Sequence, residues 1–211
     1  MKRRSFAYLT AALLLAVTAL PAASADTQGE LLARMEHVNA GLRSYQADVT
    51  VAVDTHGPPY ISPTLHGQVY FKSPDKTAVQ FQTVPLLANQ LKHVVAQIEP
   101  AVEWPHLYNV TPTGDDGTNA SFRLVRKKNG RIDHVDVTVD DKTATVIAMT
   151  YFYKDNGGSI AFKQTYDQVG GNFLIKQQNG KVEIPHYNAD VQTTFANYKL
   201  NAPIPDSVFQ D

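Results

Sequence analysis

Seven histidines, at positions 37, 56, 66, 93, 106, 134 and 186, are the side chains of this chain best suited to metal or acid–base chemistry. Their spacing does not serve it. Neither H-E-x-x-H nor H-x-x-x-H occurs, so no two imidazoles are set one helical turn apart to share an ion. His134 and Asp136 sit two apart in an alternating segment, as two ligands on one strand face would, but a solvated outer face has the same pattern. A serine nucleophile on a strained elbow needs G-x-S-x-G, and the motif is missing. Gly157-Gly158 and Gly170-Gly171 lie between strand-like segments and not ahead of a helix, so they read as turns and not as phosphate cradles. The chain has no cysteine, which removes disulfides, thiolate metal sites, a thiol nucleophile and a lipid-bearing N-terminal cysteine. No catalytic residue, metal ligand or cofactor is assigned, and the chain is expected to be non-enzymatic.

What remains is apolar patterning, and it is organised around residues 27–54. Thr27 and Glu30 have capping-box spacing. Leu31, Leu32, Met35, Val38 and Leu42 follow at helical intervals, with Gly41 placed to end the last turn. The period then changes to two: Ala47, Val49, Val51 and Val53 face one way, and Asp48, Thr50, Ala52 and Asp54 the other. A helix with one apolar face that runs into a strand with one apolar face predicts a helix lying on a sheet.

The rest of the chain supplies that sheet. Strands are predicted over 65–72 and 77–83, completing an antiparallel meander, and then over 108–111, 120–126, 131–140, 143–153, 159–166, 173–178, 181–185 and 190–199. Gly114-Asp115-Asp116-Gly117, Asn129-Gly130, Asn156-Gly157-Gly158, Gly170-Gly171 and Asn179-Gly180 punctuate them as turns. Segment 143–153 is apolar on both faces, which predicts a strand covered on both sides at the centre of the sheet. A second amphipathic helix is predicted from Pro85 to Ile98, with Leu87, Leu91, Val94, Val95 and Ile98 on its stripe. The region around Trp104 and Pro105 has no assignable period. About ten strands with short turns, and two helices, predict one mainly β domain with α elements (α+β), its antiparallel sheet long enough to curl.

The N-terminus carries an address. Lys2, Arg3 and Arg4 precede an uncharged apolar run from Phe6 to Leu20, followed by Ala23-Ser24-Ala25. That order is a cleavable export signal over residues 1–25, and the run is shorter than the ~20 residues a membrane span needs. Cleavage removes three of 19 basic residues and no acidic one, leaving 16 against 20, a net charge of −4. A mildly acidic exported domain over residues 26–211 is a poor match for nucleic acid, and no other stretch is apolar enough to span a membrane.

Gly67-Gln68-Val69-Tyr70-Phe71-Lys72-Ser73-Pro74 gives a G-x-(apolar)-x-(apolar)-K-x-P strand and turn, preceded by a short helix and a Val-rich strand. With the tail Asn201 to Phe209, it resembles the periplasmic lipoprotein-sorting carriers, the LolA-like family. Two positions depart from that pattern: Ser73 stands where the carriers have a lid-latching arginine, and Thr77 where they have an aromatic residue. The resemblance implies an unclosed antiparallel β-barrel with helices over an apolar cavity. It implies a monomeric periplasmic carrier of the acyl chain of a lipid or lipoprotein, with a transport partner at the inner or outer membrane. Val51, Val69, Phe71, Phe81, Leu87, Leu91, Val95, Ile147, Met149, Tyr151 and Phe162 are the cavity candidates it singles out. As residues alone they fit a filled core equally well, because both are apolar and inward-facing. A second class of function suits the same fold, an envelope sensor or scaffold that binds a protein.

Overall fold

The computed structural model describes residues 25–57, 60, 62–82 and 101–210. Ten antiparallel strands form one sheet: β1 (Ser44–Thr55), β2 (Thr64–Lys72), β3 (Lys76–Phe81), β4 (Tyr108–Asp115), β5 (Asn119–Arg126), β6 (Ile132–Asp140), β7 (Thr145–Tyr153), β8 (Ser159–Val169), β9 (Asn172–Ile184) and β10 (Tyr187–Leu200). Their order is β3-β2-β1-β10-β9-β8-β7-β6-β5-β4, so β3 and β4 are its two ends and no pairing joins them into a ring. The predicted α+β class, with an unclosed antiparallel sheet, is what is observed. Helix α1 (Ala25–His37) packs on the inner face. A one-turn 3-10 helix (Ala101–Glu103) and α2 (Trp104–Leu107) follow the segment numbered 83–100. The predicted Pro85–Ile98 helix lies outside the described residues.

Several boundaries differ from the sequence-based expectation. Thr27 lies within α1 and not ahead of it. The helix is ended by Asn39, at φ 64°, and not by Gly41, because asparagine tolerates the left-handed conformation and its amide finds a partner in β9. Gly114 and Asp115 belong to β4, which runs past Pro112. An edge strand accommodates a proline, and the register shifts between Pro112 and Gly114. Asn179-Gly180 is not a turn. Both residues lie inside β9, where Gly180 pairs with Phe162, and a Cβ there would meet the Phe162 ring at 2.9 Å.

Strand β7 is seventh in the order, not central. The chain brings β10 back beside β1, which places the long strands β8, β9 and β10 in the middle. Its two apolar faces have a local cause. Val139 pairs with Val146 and Thr138 with Ala148, so Ile147 is the extra residue of a bulge. The bulge shifts the alternation: Val146 packs inward with Met149 and Tyr151, while half-buried Ile147 belongs to neither inner cluster. Farther along, Phe152 faces outward and stacks on His134 at 4.5 Å.

Two tyrosines stitch the sheet where its ladders stop. The β7–β8 pairing ends at Ala148–Lys163, and the Tyr166 hydroxyl donates to the Val146 carbonyl at 2.6 Å. The β9–β10 pairing ends at Gln177–Thr194, and the Tyr198 hydroxyl donates to the Ile175 carbonyl at 2.6 Å. Burial pushes the pKa of both phenols well above the usual tyrosine range.

Candidate functional site

The inner face of the sheet is the candidate site, and strand alternation builds it. Every second residue of β1 from Ala47 to Val53 is buried, and Leu65 and Val69 of β2 continue the surface. The face divides into two apolar patches. The first joins β1, β2, β9 and β10 through Val49, Val51, Val69, Val182, Val191 and Phe195, with Phe71, Phe81 and Ile160 packed on its margin. The second joins strands β4 to β8 through Phe122, Leu124, Val137, Met149, Tyr151 and Phe162. Helix α1 covers the second patch with Leu31, and Trp104 of α2 is wholly buried in it, 6.4 Å from the Phe122 ring. Among the described residues, none of α1 or α2 belongs to the first patch. Ile160 touches both.

A polar row runs across the strands from the edge of the second patch into the first. Gln164 of β8 pairs with Gln178 of β9, Gln178 with Thr193 of β10, and Thr193 with Val51 of β1. All three polar side chains are buried, with 6%, 2% and 2% of their surface exposed. The Tyr166 hydroxyl, whose one proton goes chiefly to Val146, also lies 2.9 Å from the Gln164 amide oxygen, and Gln178 has a partner of its own. The remaining buried polar residues among the described ones are Ser44, Thr55 and Thr145, so none of the described buried residues is charged.

Charge is kept at the rim and the outer face. Arg34 of α1 grips the β6–β7 turn, donating to the Asp141 carboxylate at 2.6 Å and its carbonyl at 2.7 Å. Lys72 and Lys76 both hold Asp206 of the tail, at 2.9 and 3.1 Å, and these hydrogen bonds hold its pKa below the usual carboxylate range. On the outer face Arg123 makes a two-pronged pair with Asp136 at 2.7 and 2.8 Å, and Arg123 pushes the Asp136 pKa down. His134 lies between Asp133 and Asp136, at 2.8 and 3.7 Å. Among the described residues, no three histidine or carboxylate groups gather where they could hold a metal ion. Among them also, no helix is long and apolar enough to cross a membrane.

The structure brings Val51, Val69, Phe71 and Phe81 together on the first patch, and Met149, Tyr151 and Phe162 on the second. Ile147 joins neither. Leu87, Leu91 and Val95 lie outside the described residues. Sequence reasoning missed Trp104, whose four-residue helix is too short to show a period, and the row of Gln164, Gln178 and Thr193. Strand alternation carried the signal for that row, since each falls on the inward parity of its strand.

No family model and no curated protein matches the sequence. The fold does match solved structures. A DUF1329 family protein from Desulfovibrio piger aligns over 86% of this chain and 95% of its own, at a TM-score of 0.66 and 11% identity. A LolA superfamily protein from Nitrosomonas europaea aligns over 87% and 97%, at 0.63 and 12% identity. A domain from Vibrio parahaemolyticus, named for outer membrane lipoprotein sorting, aligns over 87% and 97%, at 0.65 and 9% identity. The chain thus has the curled, open β-sheet fold of LolA-like proteins, in a sequence far diverged from these three.

Proposed function

We propose that this chain is an exported, non-enzymatic carrier that shelters the acyl chain of a lipid or lipoprotein against the inner face of its open sheet. The observation that carries the reading is that face: apolar over two adjoining patches, without a charge among its described buried residues, and part of a sheet that does not close on itself. Burial of methylene groups supplies ~0.8 kcal/mol each, so a long chain can be held without a charged anchor. Likeness in fold to a domain named for lipoprotein sorting supports the same reading. In it, residues 1–25 are the export signal, residues 26–211 are one domain working in the periplasm, and transport partners sit at the inner or outer membrane. In this reading Val51, Val69, Phe71, Phe81, Met149, Tyr151 and Phe162 line the acyl chain, and Leu87, Leu91 and Val95 are assigned to it from the sequence alone. The experiment is a titration of the purified domain with a fluorescent palmitoyl ester. Saturable binding, competed by unlabelled lipid and abolished in a folded variant with a charge on the inner face, is expected. A folded domain that takes up no probe would overturn the reading.

A further inference from the structure

We propose that Gln164 and Thr193 form a polar recognition row that selects lipids carrying a neutral hydrogen-bonding group, such as an acyl ester or amide, over free fatty acids. The inference rests on the carrier reading and adds to it a residue-level basis for selection.

The row crosses the middle of the sheet on strands β8, β9 and β10, from Gln164 beside Phe162 of the second patch to Thr193, which sits between Val191 and Phe195 of the first. Its members are polar where their inward neighbours along the strands, Phe162 and Val191, are not. Apolar packing alone would be better served by leucine or valine there, because an amide or hydroxyl removed from water needs a partner. Tyr166 shares its one hydroxyl proton between the Val146 carbonyl at 2.6 Å and the Gln164 amide oxygen at 2.9 Å, so the Gln164 contact uses the oxygen end of the amide and not its N–H donors. Among the described residues the Thr193 hydroxyl makes no side-chain hydrogen bond. Gln178, between them, has a partner and is not needed. The row therefore offers donors to a carbonyl oxygen, from two strands that flank β9.

Charge decides the class of ligand. No lysine, arginine or histidine is buried on this face among the described residues. A carboxylate brought to the row would lose its water and find no counter-ion, whereas an ester or amide carbonyl would lose far less. An acyl chain joined through such a group could lie along one patch, or both, with its linkage at the row and any charged headgroup outside.

The test is competition against a fluorescent palmitoyl ester, using methyl palmitate, palmitamide, palmitate and hexadecane at neutral pH. The expected order places methyl palmitate and palmitamide ahead of palmitate and hexadecane. Thr193→Val and Gln164→Leu should each weaken the ester and amide about three- to tenfold, the range of one neutral hydrogen bond, and leave hexadecane unchanged. Thr193→Ser keeps the hydroxyl and should keep the affinity. If palmitate competes as well as the ester, or if both variants hold the ester normally, the recognition row is wrong while the carrier reading stands. If none of the four competes and the probe itself does not bind, both fail.

Discussion

Asn39 and Phe173 hold one another by two reciprocal hydrogen bonds: the Asn39 side-chain N–H donates to the Phe173 carbonyl at 2.9 Å, and the Phe173 N–H donates to the Asn39 side-chain oxygen at 2.8 Å. One side-chain amide thus imitates a strand neighbour and ties the loop after α1 to the start of β9. It does so from the left-handed conformation that ends the helix. Asn39→Ala removes both bonds and leaves a Cβ in that conformation. It should cost about 2–4 kcal/mol in a denaturant melt, while Asn39→Gly, which keeps the backbone freedom, should cost less. Equal losses would mean that the backbone conformation contributes nothing.

The tyrosine stitches predict the alkaline limit of stability. Burial raises the folded pKa of Tyr166 and Tyr198 above the unfolded value of 10.0. Their contribution is therefore complete below pH 10 and lost above it, where the unfolded chain ionises first. Tyr166→Phe should flatten the decline above pH 10 and lower stability at neutral pH by about 1–3 kcal/mol, because the Val146 carbonyl loses its donor. Melts of wild type and variant across the alkaline range check both signs.

Asp206 predicts the acid side of tail docking. Its pKa is lowered by hydrogen bonds from Lys72 and then Lys76, so the tail's hold on β2 and β3 is present above the unfolded carboxylate range and weakens as pH falls through it. Amide exchange over 203–209 should quicken below that range in the wild type. In Asp206→Asn it should be fast and independent of pH. The pair is exposed, so global melting should change little.

Placement on the inner face predicts the cost of a buried charge. Val51→Asp puts a carboxylate among apolar side chains and should cost roughly 3 kcal/mol or more. Ile147→Asp, half-buried at the bulge, should cost less, and His134→Ala on the outer face least. Gly180→Ala should cost about 1–3 kcal/mol, because the new methyl meets the Phe162 ring. Thermal melts of the four variants, with His134→Ala the least affected, check the face assignments.

How much of this was legible in the sequence varied with how local its cause is. The alternation of β1 depends on near neighbours and is observed as expected; Asn129-Gly130 lies in the β5–β6 connection, but neither residue takes the positive φ of a tight Asn-Gly turn. Asn179-Gly180 has the composition of a turn, yet the glycine is there because Phe162 of the next strand fills the space of its side chain. The order of strands is set by the pairing of β10 with β1, nearly the whole chain apart, and no local pattern announces it. Val146 packs inward, against the alternation of the strand, because the bulge at Ile147 inverts the parity of what precedes it, and Ile147 itself joins neither inner cluster. The inner positions read as apolar and inward, as they are, but a lipid cavity and a filled core have one signature, so residue type alone could not name a cargo.

The central claim is that this sheet carries an acyl chain, and mass spectrometry of what the protein brings with it from its native envelope tests it most directly. Protein purified without detergent should begin at or near Asp26 and release an acyl-bearing lipid on extraction, and Val51→Asp should release none. A well-folded wild-type protein that is exported, yields no lipid and instead retains a stable protein partner would contradict the account.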